Sequence, residues 1–289
     1  MARTENFDIA HLGAVELFTP KFEESLWFFR DLLAMREVAR IGDSAYLRCW
    51  DEYQLYTIKL TASDTNGVGR SLYRASSEEA LERRVAAIEA AGLGHGWREP
   101  EVGVGRSYGF EDPDGHLMAI YYDTEHYVPD EKDTPALKNQ ASAFPGRGVN
   151  VRRMDHINYL AADVTKSGEF WRDVMGARES ERVVKDEGGY AAWWFRFAQK
   201  SYDVVYSEDW TGTRGRFPQG VPSCSSCDRA VAAGCAARVG VDVLRRAWDF
   251  AEDVLRDPEK GCRGGSSGGV GAAFETAGVE SESDRGRGC

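Results

Sequence analysis

Several short segments of the chain recur at one fixed spacing along the sequence. We call this spacing, which separates Arg30 from Arg172, the repeat offset. At this offset, the aromatic pair Phe28-Phe29 falls on another aromatic pair, Phe170-Trp171. Several matches at one offset indicate a duplicated supersecondary unit, which restricts the fold to architectures built from repeated modules. The identical positions are Arg30-Asp31 with Arg172-Asp173, Arg36-Glu37 with Arg178-Glu179, and Arg40 with Arg182.

The first copy of the unit has the pattern of a strand, a helix and three further strands. An apolar run predicts the first strand over residues 9–17. Thr19-Pro20 then supplies a helix N-cap followed by proline at the first helical position. One apolar helix face follows at Phe22, Leu26, Phe29 and Leu33. The three further strands are predicted over residues 35–40, 45–50 and 53–60.

A second β-α-β-β-β unit begins at Leu72-Tyr73. Ser76 and Glu79 have the spacing of a capping box, and Gly92 ends the helix that follows them. Asp112-Pro113-Asp114-Gly115 predicts a hairpin turn. The turn joins strands that are predicted over residues 108–111 and 118–122.

The third copy of the unit places a histidine where the first copy has none. Residues 153–207 form this copy, with a helix predicted over residues 164–175. The repeat offset sets His156 opposite Ala14, within a strand predicted over residues 152–160. A single histidine on an apolar strand is more often structural than a metal ligand, so the residues around it have to decide its role.

These patterns predict an α+β fold of tandem β-α-β-β-β modules. Residues 7–125 form an N-terminal domain of two modules, and the polar stretch 126–150 is a linker. Residues 151–217 form a partial C-terminal domain with one clear module, and its fourth module is missing or degenerate. Residues 218–289 form an aberrant tail.

Paired modules, the Asp-Pro-Asp-Gly-His turn at residues 112–116 and a histidine-bearing first strand in the second half resemble the vicinal oxygen chelate superfamily. Within it, the two-domain chain resembles the type I extradiol ring-cleaving dioxygenases, the group of catechol 2,3-dioxygenase and homoprotocatechuate 2,3-dioxygenase. The resemblance covers residues 7 to about 217. Its most specific segments are residues 154–158, 190–193 and 201–205.

The resemblance implies cleavage of a catechol-type aromatic diol with O2 at a non-heme Fe(II) ion, with Mn(II) as an alternative metal. Family members hold the metal with two histidines and one glutamate, which leaves open positions for the diol and O2. His156 matches the first histidine ligand, and Asn158, two residues further along the same strand face, matches a site-lining position. Trp193 matches a residue of the substrate pocket, and a core aromatic is the alternative.

The resemblance also breaks at the site. Tyr202 stands where the family carries an acid–base histidine, and the ordinary tyrosine pKa of about 10 suits proton transfer near pH 7 poorly. The second histidine ligand is absent, because no histidine follows His156 in the whole sequence. The glutamate ligand is also missing, because Gly265 stands at its position after the turn-like residues 257–261. Glu275 lies nearby in a stretch without a strand pattern.

The N-terminal half has no ligand-type residues at the corresponding metal positions. Ala14 and Ala119 occupy them, which agrees with a family whose N-terminal domain binds no metal. His116 is then predicted to be a turn residue. His11 and His95 have no local constellation and are predicted to be structural or surface residues.

The composition changes abruptly after Phe217. Residues 218–289 contain no Ile, Met, Tyr, Asn or His and hold five of the six cysteines. One helix is predicted over residues 241–255, and residues 261–289 have the composition of a disordered segment. A change of reading frame near residues 217–218 would explain this shift. The coding DNA contradicts that hypothesis if no other frame restores a histidine-bearing strand.

Cysteine usage leaves two interpretations open. Cys224 and Cys227 have the CxxC spacing of a metal or redox motif, but neither a second pair nor a paired histidine follows. Free thiols in a reducing cytoplasm are the alternative. The first twenty residues lack an apolar signal core, and no run of about 18 apolar residues occurs, so a cytoplasmic protein without a membrane span is predicted.

The net charge of −11 argues against binding to nucleic acid or to an anionic membrane. A small aromatic diol is the implied partner, and the family resemblance implies a homo-oligomer. Three functions remain: an Fe(II) extradiol dioxygenase, a non-catalytic protein that binds an aromatic ligand, or an inactive product of a damaged dioxygenase gene. The aromatic ligand would occupy a cup around Trp193, Trp194 and Tyr202.

Overall fold

The computed structural model describes residues 7–209 and 274–276. An eight-stranded sheet lies in the N-terminal half and a four-stranded sheet in the C-terminal half. Within the described ranges, no helix combines the length and the hydropathy that crossing a lipid bilayer requires. The helices and strands follow the order predicted for repeated modules, so the α+β fold is confirmed.

The first module begins its helix later than predicted. The N-cap of α1 is Lys21, which makes no side-chain capping bond, so the assignment of Thr19 as N-cap is wrong. Thr19 Oγ1 instead accepts a hydrogen bond from the Lys21 backbone N–H at 3.1 Å and turns the chain out of the strand. The elements are β1 (Ile9–Thr19), α1 (Phe22–Trp27), a π-helical turn (Phe28–Leu32), β2 (Arg36–Ile41), β3 (Ser44–Arg48) and β4 (Ile58–Ala62).

The helix of the second module has Ser77 as its N-cap rather than Ser76. The Ser77 hydroxyl accepts a hydrogen bond from the Ala80 backbone N–H at 3.1 Å. Gly92 has a φ of +72° and ends the helix as predicted, because glycine adopts this conformation without steric cost. The elements are β5 (Gly67–Ala75), α2 (Glu78–Ala90), β6 (Gly94–Arg98), β7 (Ser107–Glu111) and β8 (Leu117–Tyr121).

The two modules join through their first strands. β1 and β5 pair antiparallel at the centre of the sheet, and each also pairs in parallel with the last strand of its own module. A large hydrophobic cluster that includes helix residues such as Leu26 and Leu81 covers one face. We call the opposite face the inner face. It carries a smaller cluster of Ala14, Tyr46, Tyr56, Val104 and Tyr121.

The third module reproduces the first at the repeat offset. Its helix, its π-helical turn and the start of the strand after them all keep that spacing. The first strand is interrupted at Asp155-His156, so the continuous strand predicted over residues 152–160 is wrong. The elements are β9 (Val151–Met154), β10 (Ile157–Ala161), α3 (Val164–Glu169), a π-helical turn (Phe170–Val174), β11 (Arg178–Val184), β12 (Tyr190–Arg196) and β13 (Val204–Glu208).

A short strand, β14 (Phe274–Thr276), pairs antiparallel with β9. The predicted lack of regular structure over residues 261–289 is therefore wrong for these three residues. Their register repeats that of the N-terminal sheet: Thr276 lies opposite Val151 as Ala75 lies opposite Ile9, and Phe274 opposite Met154 as Tyr73 opposite Leu12. β14 thus occupies the place that the first strand of a fourth module would take.

Trp193 packs in the core between the C-terminal sheet and α3. Its side chain is 0% exposed. A Cβ atom added at Gly168 would lie 2.0 Å from Trp193 Cε3, so the indole lies directly on the helix backbone. This close approach needs a residue without a side chain at position 168, because a packed indole cannot yield that much space.

Candidate metal-binding site at the start of β10

His156 lies in the break between β9 and β10, and its side chain is buried. The Nδ1 atom donates a hydrogen bond to Asp155 Oδ2 at 2.8 Å. A carboxylate on one ring nitrogen fixes the orientation of an imidazole and leaves the other nitrogen as the coordinating atom. His156 therefore has the local arrangement of a metal-ligating histidine, with Nε2 as the available nitrogen.

Lys200 joins the carboxylates that surround His156. Its Nζ atom lies 3.5 Å from Asp155 Oδ1 and 3.0 Å from Asp203 Oδ1. Burial alone would raise the pKa of Asp155, but the hydrogen bond from His156 and the charge of Lys200 outweigh it and lower that pKa. Burial raises the pKa of Asp203 despite the same lysine. The ionised Asp155 is thus the carboxylate that holds the imidazole.

Tyr202 lies against His156, as the sequence suggested. The two rings meet edge to face, with centroids 4.7 Å apart. Asn158 lies on β10 and is half-buried, whereas its neighbours Ile157 and Tyr159 are buried. The Asn158 side chain therefore leaves the core side of the sheet, and its Oδ1 accepts a hydrogen bond from Ser207 Oγ at 3.2 Å.

The side chain of Trp193 does not point toward His156, Tyr202 and Asn158. It projects to the helix-covered face of the sheet and belongs to the main hydrophobic cluster. This position favours the core alternative over the substrate pocket. The adjacent Trp194 is half-buried and projects to the other face of the sheet.

A complete metal site does not form from the residues that the structure describes. No group of three His, Cys, Asp or Glu side chains within 7–209 and 274–276 is arranged to hold a metal ion. All five histidines of the sequence fall inside this range. The described residues therefore do not fit a site of two histidines and one carboxylate, because only His156 is in place. Residues 257–265, the turn-like segment that would precede a glutamate ligand, lie outside the described ranges.

The positions of the N-terminal half that correspond to the metal site carry no ligand-type residue. The histidines nearest to them along the chain have structural or surface positions. Ala14 and Ala119 are both buried. His116 does lie in the turn, and it also contacts the third module: its ring centroid is 4.7 Å from that of Tyr159. His95 is an exposed residue 3.5 Å from Glu111.

His11 belongs to a network that sequence reasoning missed. Its Nε2 lies 3.1 Å from Gln54 Nε2, and Gln54 also bonds the Tyr121 hydroxyl. Burial, helped by the charge of Arg74, lowers the pKa of His11 to about 4. The ring is therefore neutral at pH 7 and serves as a structural residue, as predicted. Nothing in the spacing of these residues along the sequence pointed to the contact.

Glu52 is a second feature that the sequence did not reveal. Its Oε1 accepts a hydrogen bond from the Met154 backbone N–H at 2.9 Å, two residues before His156. Burial raises the pKa of Glu52 to about 7, although the Met154 bond and the charge of Arg153 oppose the shift. A buried carboxyl group with a raised pKa thus supports β9 just before the break in the strand.

Glu52 makes stability depend on pH in a defined direction. Between about pH 4.5 and 7 the folded chain keeps a proton that the unfolded chain has lost, so stability falls as pH rises through this window. Glu52→Gln keeps the acceptor and removes the charge. We expect it to stabilise the protein by about 1–3 kcal/mol at pH 8 and to be neutral near pH 4. Urea unfolding at both pH values measures this, and Glu187→Gln on an exposed turn is the control.

No protein-family model matches the chain. A metapyrocatechase from Geobacillus stearothermophilus is 38% identical over 210 residues, which cover 73% of this chain and 64% of that protein. A manganese-dependent 2,3-dihydroxybiphenyl 1,2-dioxygenase from Geobacillus genomosp. 3 is 31% identical over 211 residues, which cover 72% of this chain and 67% of that protein. The chain thus spans just under two thirds of the length of the metapyrocatechase.

Two solved structures share the fold. A homoprotocatechuate 2,3-dioxygenase from Arthrobacter globiformis matches with a TM-score of 0.61 and 22% identity, over 70% of this chain and 61% of that chain. The 2,3-dioxygenase LapB from Pseudomonas sp. KL28 matches with a TM-score of 0.61 and 21% identity, over 70% of both chains.

Proposed function

The chain belongs to the type I extradiol ring-cleaving dioxygenases of the vicinal oxygen chelate fold, and on this premise we propose that its chemistry is the cleavage of a catechol-type aromatic diol with O2 at a non-heme Fe(II) ion. The observation that carries the proposal is the setting of His156. Asp155 holds its Nδ1 atom at 2.8 Å, and Tyr202 covers one edge of its ring. Mn(II) is the second candidate metal, because one relative is named for its dependence on manganese.

The residues around His156 have separable roles in this proposal. His156 would supply the first metal ligand through Nε2, with Asp155 orienting the ring. The Tyr202 hydroxyl would donate a hydrogen bond to the diol in place of the family's acid–base histidine. Asn158 lines the same side of the sheet. The metal, when bound, would bring the diol and O2 together.

We further propose that this particular chain is impaired. The described residues provide one ligand of three, and no histidine follows His156 in the sequence. Substituting a residue that only supports a metal ligand costs about 10–100-fold in metal affinity or activity. The loss of a ligand itself should therefore lower turnover by about 100-fold or more relative to an enzyme with the complete set.

Turnover of simple catechols tests both statements. The full chain, loaded anaerobically with Fe(II), is mixed with air-saturated catechol or 2,3-dihydroxybiphenyl, and oxygen uptake is followed together with absorbance of the ring-opened product. We expect a rate at least about 100-fold below that of the metapyrocatechase, and a further loss in His156→Ala. A variant that retains the whole rate would remove His156 from the proposal. A rate near that of the relative would refute the impairment.

A non-catalytic role in binding an aromatic ligand is the second candidate, and the absence of a second histidine ligand favours it. Trp194 and Tyr202 are both half-buried and provide the aromatic surface. Anaerobic titration of the metal-free protein with catechol, followed by tryptophan fluorescence, separates the two roles. Saturable binding that Trp194→Ala weakens supports this candidate. The homo-oligomer and the cytoplasmic location stay predictions.

A further inference from the structure

The inner face of the N-terminal sheet contains a small cavity at the position that corresponds to His156. Ala14, which lies opposite His156 at the repeat offset, forms part of its wall. The cavity has a volume of about 20 Å³, and its other walls include Tyr56, Leu72 and a group of charged side chains. The charged residues are Glu16, Lys59, Arg70 and Glu101.

Two of these charged side chains are satisfied by each other. Lys59 Nζ lies 2.9 Å from Glu16 Oε1, and the Thr61 hydroxyl donates to the same oxygen at 3.1 Å. Glu101 is held by a different cation, because Arg98 Nη2 donates to its Oε1 at 2.6 Å. Both carboxylates that line the cavity are therefore already paired with a cation.

Arg70 is the cation of the cavity that is left without such a partner. Its Nε atom is buried and makes no hydrogen bond within the described residues, and its guanidinium forms no ion pair there. Burial and the nearby charge of Arg98 lower the pKa of Arg70, although the charges of Glu101 and Glu16 oppose the shift. A bound anion would supply the acceptor that the Nε atom lacks.

We propose that this cavity is a binding site for a small carboxylate anion, which the guanidinium of Arg70 holds. A guanidinium offers two parallel donors that match the two oxygens of a carboxylate. The volume of about 20 Å³ is close to that of one water-sized group, so it admits an oxygen atom of the anion and excludes a bulky ligand. The neighbouring Glu16 and Glu101 disfavour a dianion, so a monocarboxylate is preferred over phosphate.

This site is independent of the proposed ring-cleavage site. None of its residues belongs to the third module, which holds His156. A metal ion is disfavoured there because Lys59 and Arg70 line the same cavity as the two acidic residues, and like charges repel. The duplicated scaffold thus carries a histidine in one half and an anion-binding arginine in the other.

Ligand-observed NMR with acetate tests the proposal on the full chain. Saturation-transfer signals of the acetate methyl group are titrated at constant ionic strength, with chloride as the replaced ion. The wild-type protein should give a saturable signal. Arg70→Gln should weaken the apparent affinity at least about tenfold, because it removes the charge-assisted hydrogen bonds to the carboxylate. Arg106→Gln, at an exposed arginine, should stay within about twofold of wild type.

A second variant distinguishes a specific loss of binding from a loss of folding. Glu101→Gln removes a negative charge from the cavity and should tighten acetate binding, which a damaged fold cannot imitate. His156→Ala should leave acetate binding unchanged, so this result separates the site from the dioxygenase proposal. A wild-type protein without a saturable signal, or an Arg70→Gln variant with wild-type affinity, would overturn the inference.

Discussion

Replacing Asp51 with alanine is expected to destabilise the protein by about 2–4 kcal/mol, because it removes three hydrogen bonds of a buried carboxylate but leaves two arginines that are partly exposed to water. Asp51 is 0% exposed. Its Oδ2 accepts hydrogen bonds from Arg152 Nε at 2.9 Å and from Arg153 Nη2 at 2.8 Å. Its Oδ1 accepts one from the Ala141 backbone N–H at 3.0 Å. One carboxylate thus ties the first module, the linker and β9 together.

The loss should extend to the strand that leads to His156. The backbone beside Asp51 also pairs with β9, because the Trp50 and Asp51 N–H groups donate to the carbonyls of Val151 and Arg152. Urea unfolding followed by tryptophan fluorescence measures the change in free energy. Asp43→Ala, at an exposed turn of the same module, is the matched control and should cost less than about 0.5 kcal/mol. Equal stability of the two variants would mean that Asp51 does not hold the halves together.

Replacing Asp112 with alanine is expected to cost a similar amount. Asp112 Oδ2 accepts hydrogen bonds from His116 Nδ1 at 2.7 Å and from the Tyr206 hydroxyl at 2.5 Å. Its Oδ1 accepts two more, from the backbone N–H groups of Asp114 and His116. Removal strands four donors at a buried contact between the second and third modules, so about 3–5 kcal/mol should be lost.

The pH dependence identifies the cause of that loss. Burial would raise the pKa of Asp112, but the charge and hydrogen bond of His116 and the bond from Tyr206 lower it overall. The stabilisation is therefore present above the ordinary aspartate pKa of about 4 and disappears as pH falls through the lowered value.

Wild type and Asp112→Ala should differ at pH 7 and converge at strongly acidic pH. Tyr206→Phe removes one of the four bonds and also leaves the buried Trp171 indole N–H without its acceptor, so it should cost about 2–4 kcal/mol at pH 7. Thermal or urea unfolding across this pH range provides the test, with Asp186→Ala on an exposed turn as the control. A constant difference between Asp112→Ala and wild type at all pH values would exclude the ionised carboxylate as the cause.

The fold was predictable from the sequence to the extent that it is repeated. The repeat offset places α3 and its π-helical turn in the same positions relative to the module start as in the first module. Duplicated modules must bury equivalent faces, so their apolar spacing is kept even where other residues diverge. The helix face of Phe22, Leu26, Phe29 and Leu33 was predicted from helical spacing. Phe22 is half-buried and the other three side chains are buried.

The features that the sequence did not reveal depend on contacts between distant residues. The π-helical turns arise inside a continuous apolar pattern, which does not distinguish them from an ordinary helix. The break at Asp155-His156 follows from the Asp155–His156 hydrogen bond and from Lys200, 45 residues away. Residues Gly168 and Trp193 are also far apart in sequence, and only their packing shows that the indole faces the helix.

Part of the candidate site could be predicted from the sequence, and part of it could not. His156 and Tyr202 were placed together by family resemblance, and the structure brings their rings into contact. The pairing of β14 with β9 could not be anticipated, because Phe274–Thr276 is too short for a periodic pattern. Glu52 and Arg70 were missed because the shift of a titrating group depends on burial, which sequence spacing does not encode.

The measurement that tests the central claim most directly is the iron content of the purified full chain after anaerobic reconstitution with Fe(II) and removal of unbound metal. With one ligand of the three in place, we expect far less than one iron per chain, and a lower value still in His156→Ala. Close to one iron per chain, lost in His156→Ala, would contradict the account, because it would require ligands that neither the described residues nor the histidine content of the sequence supplies.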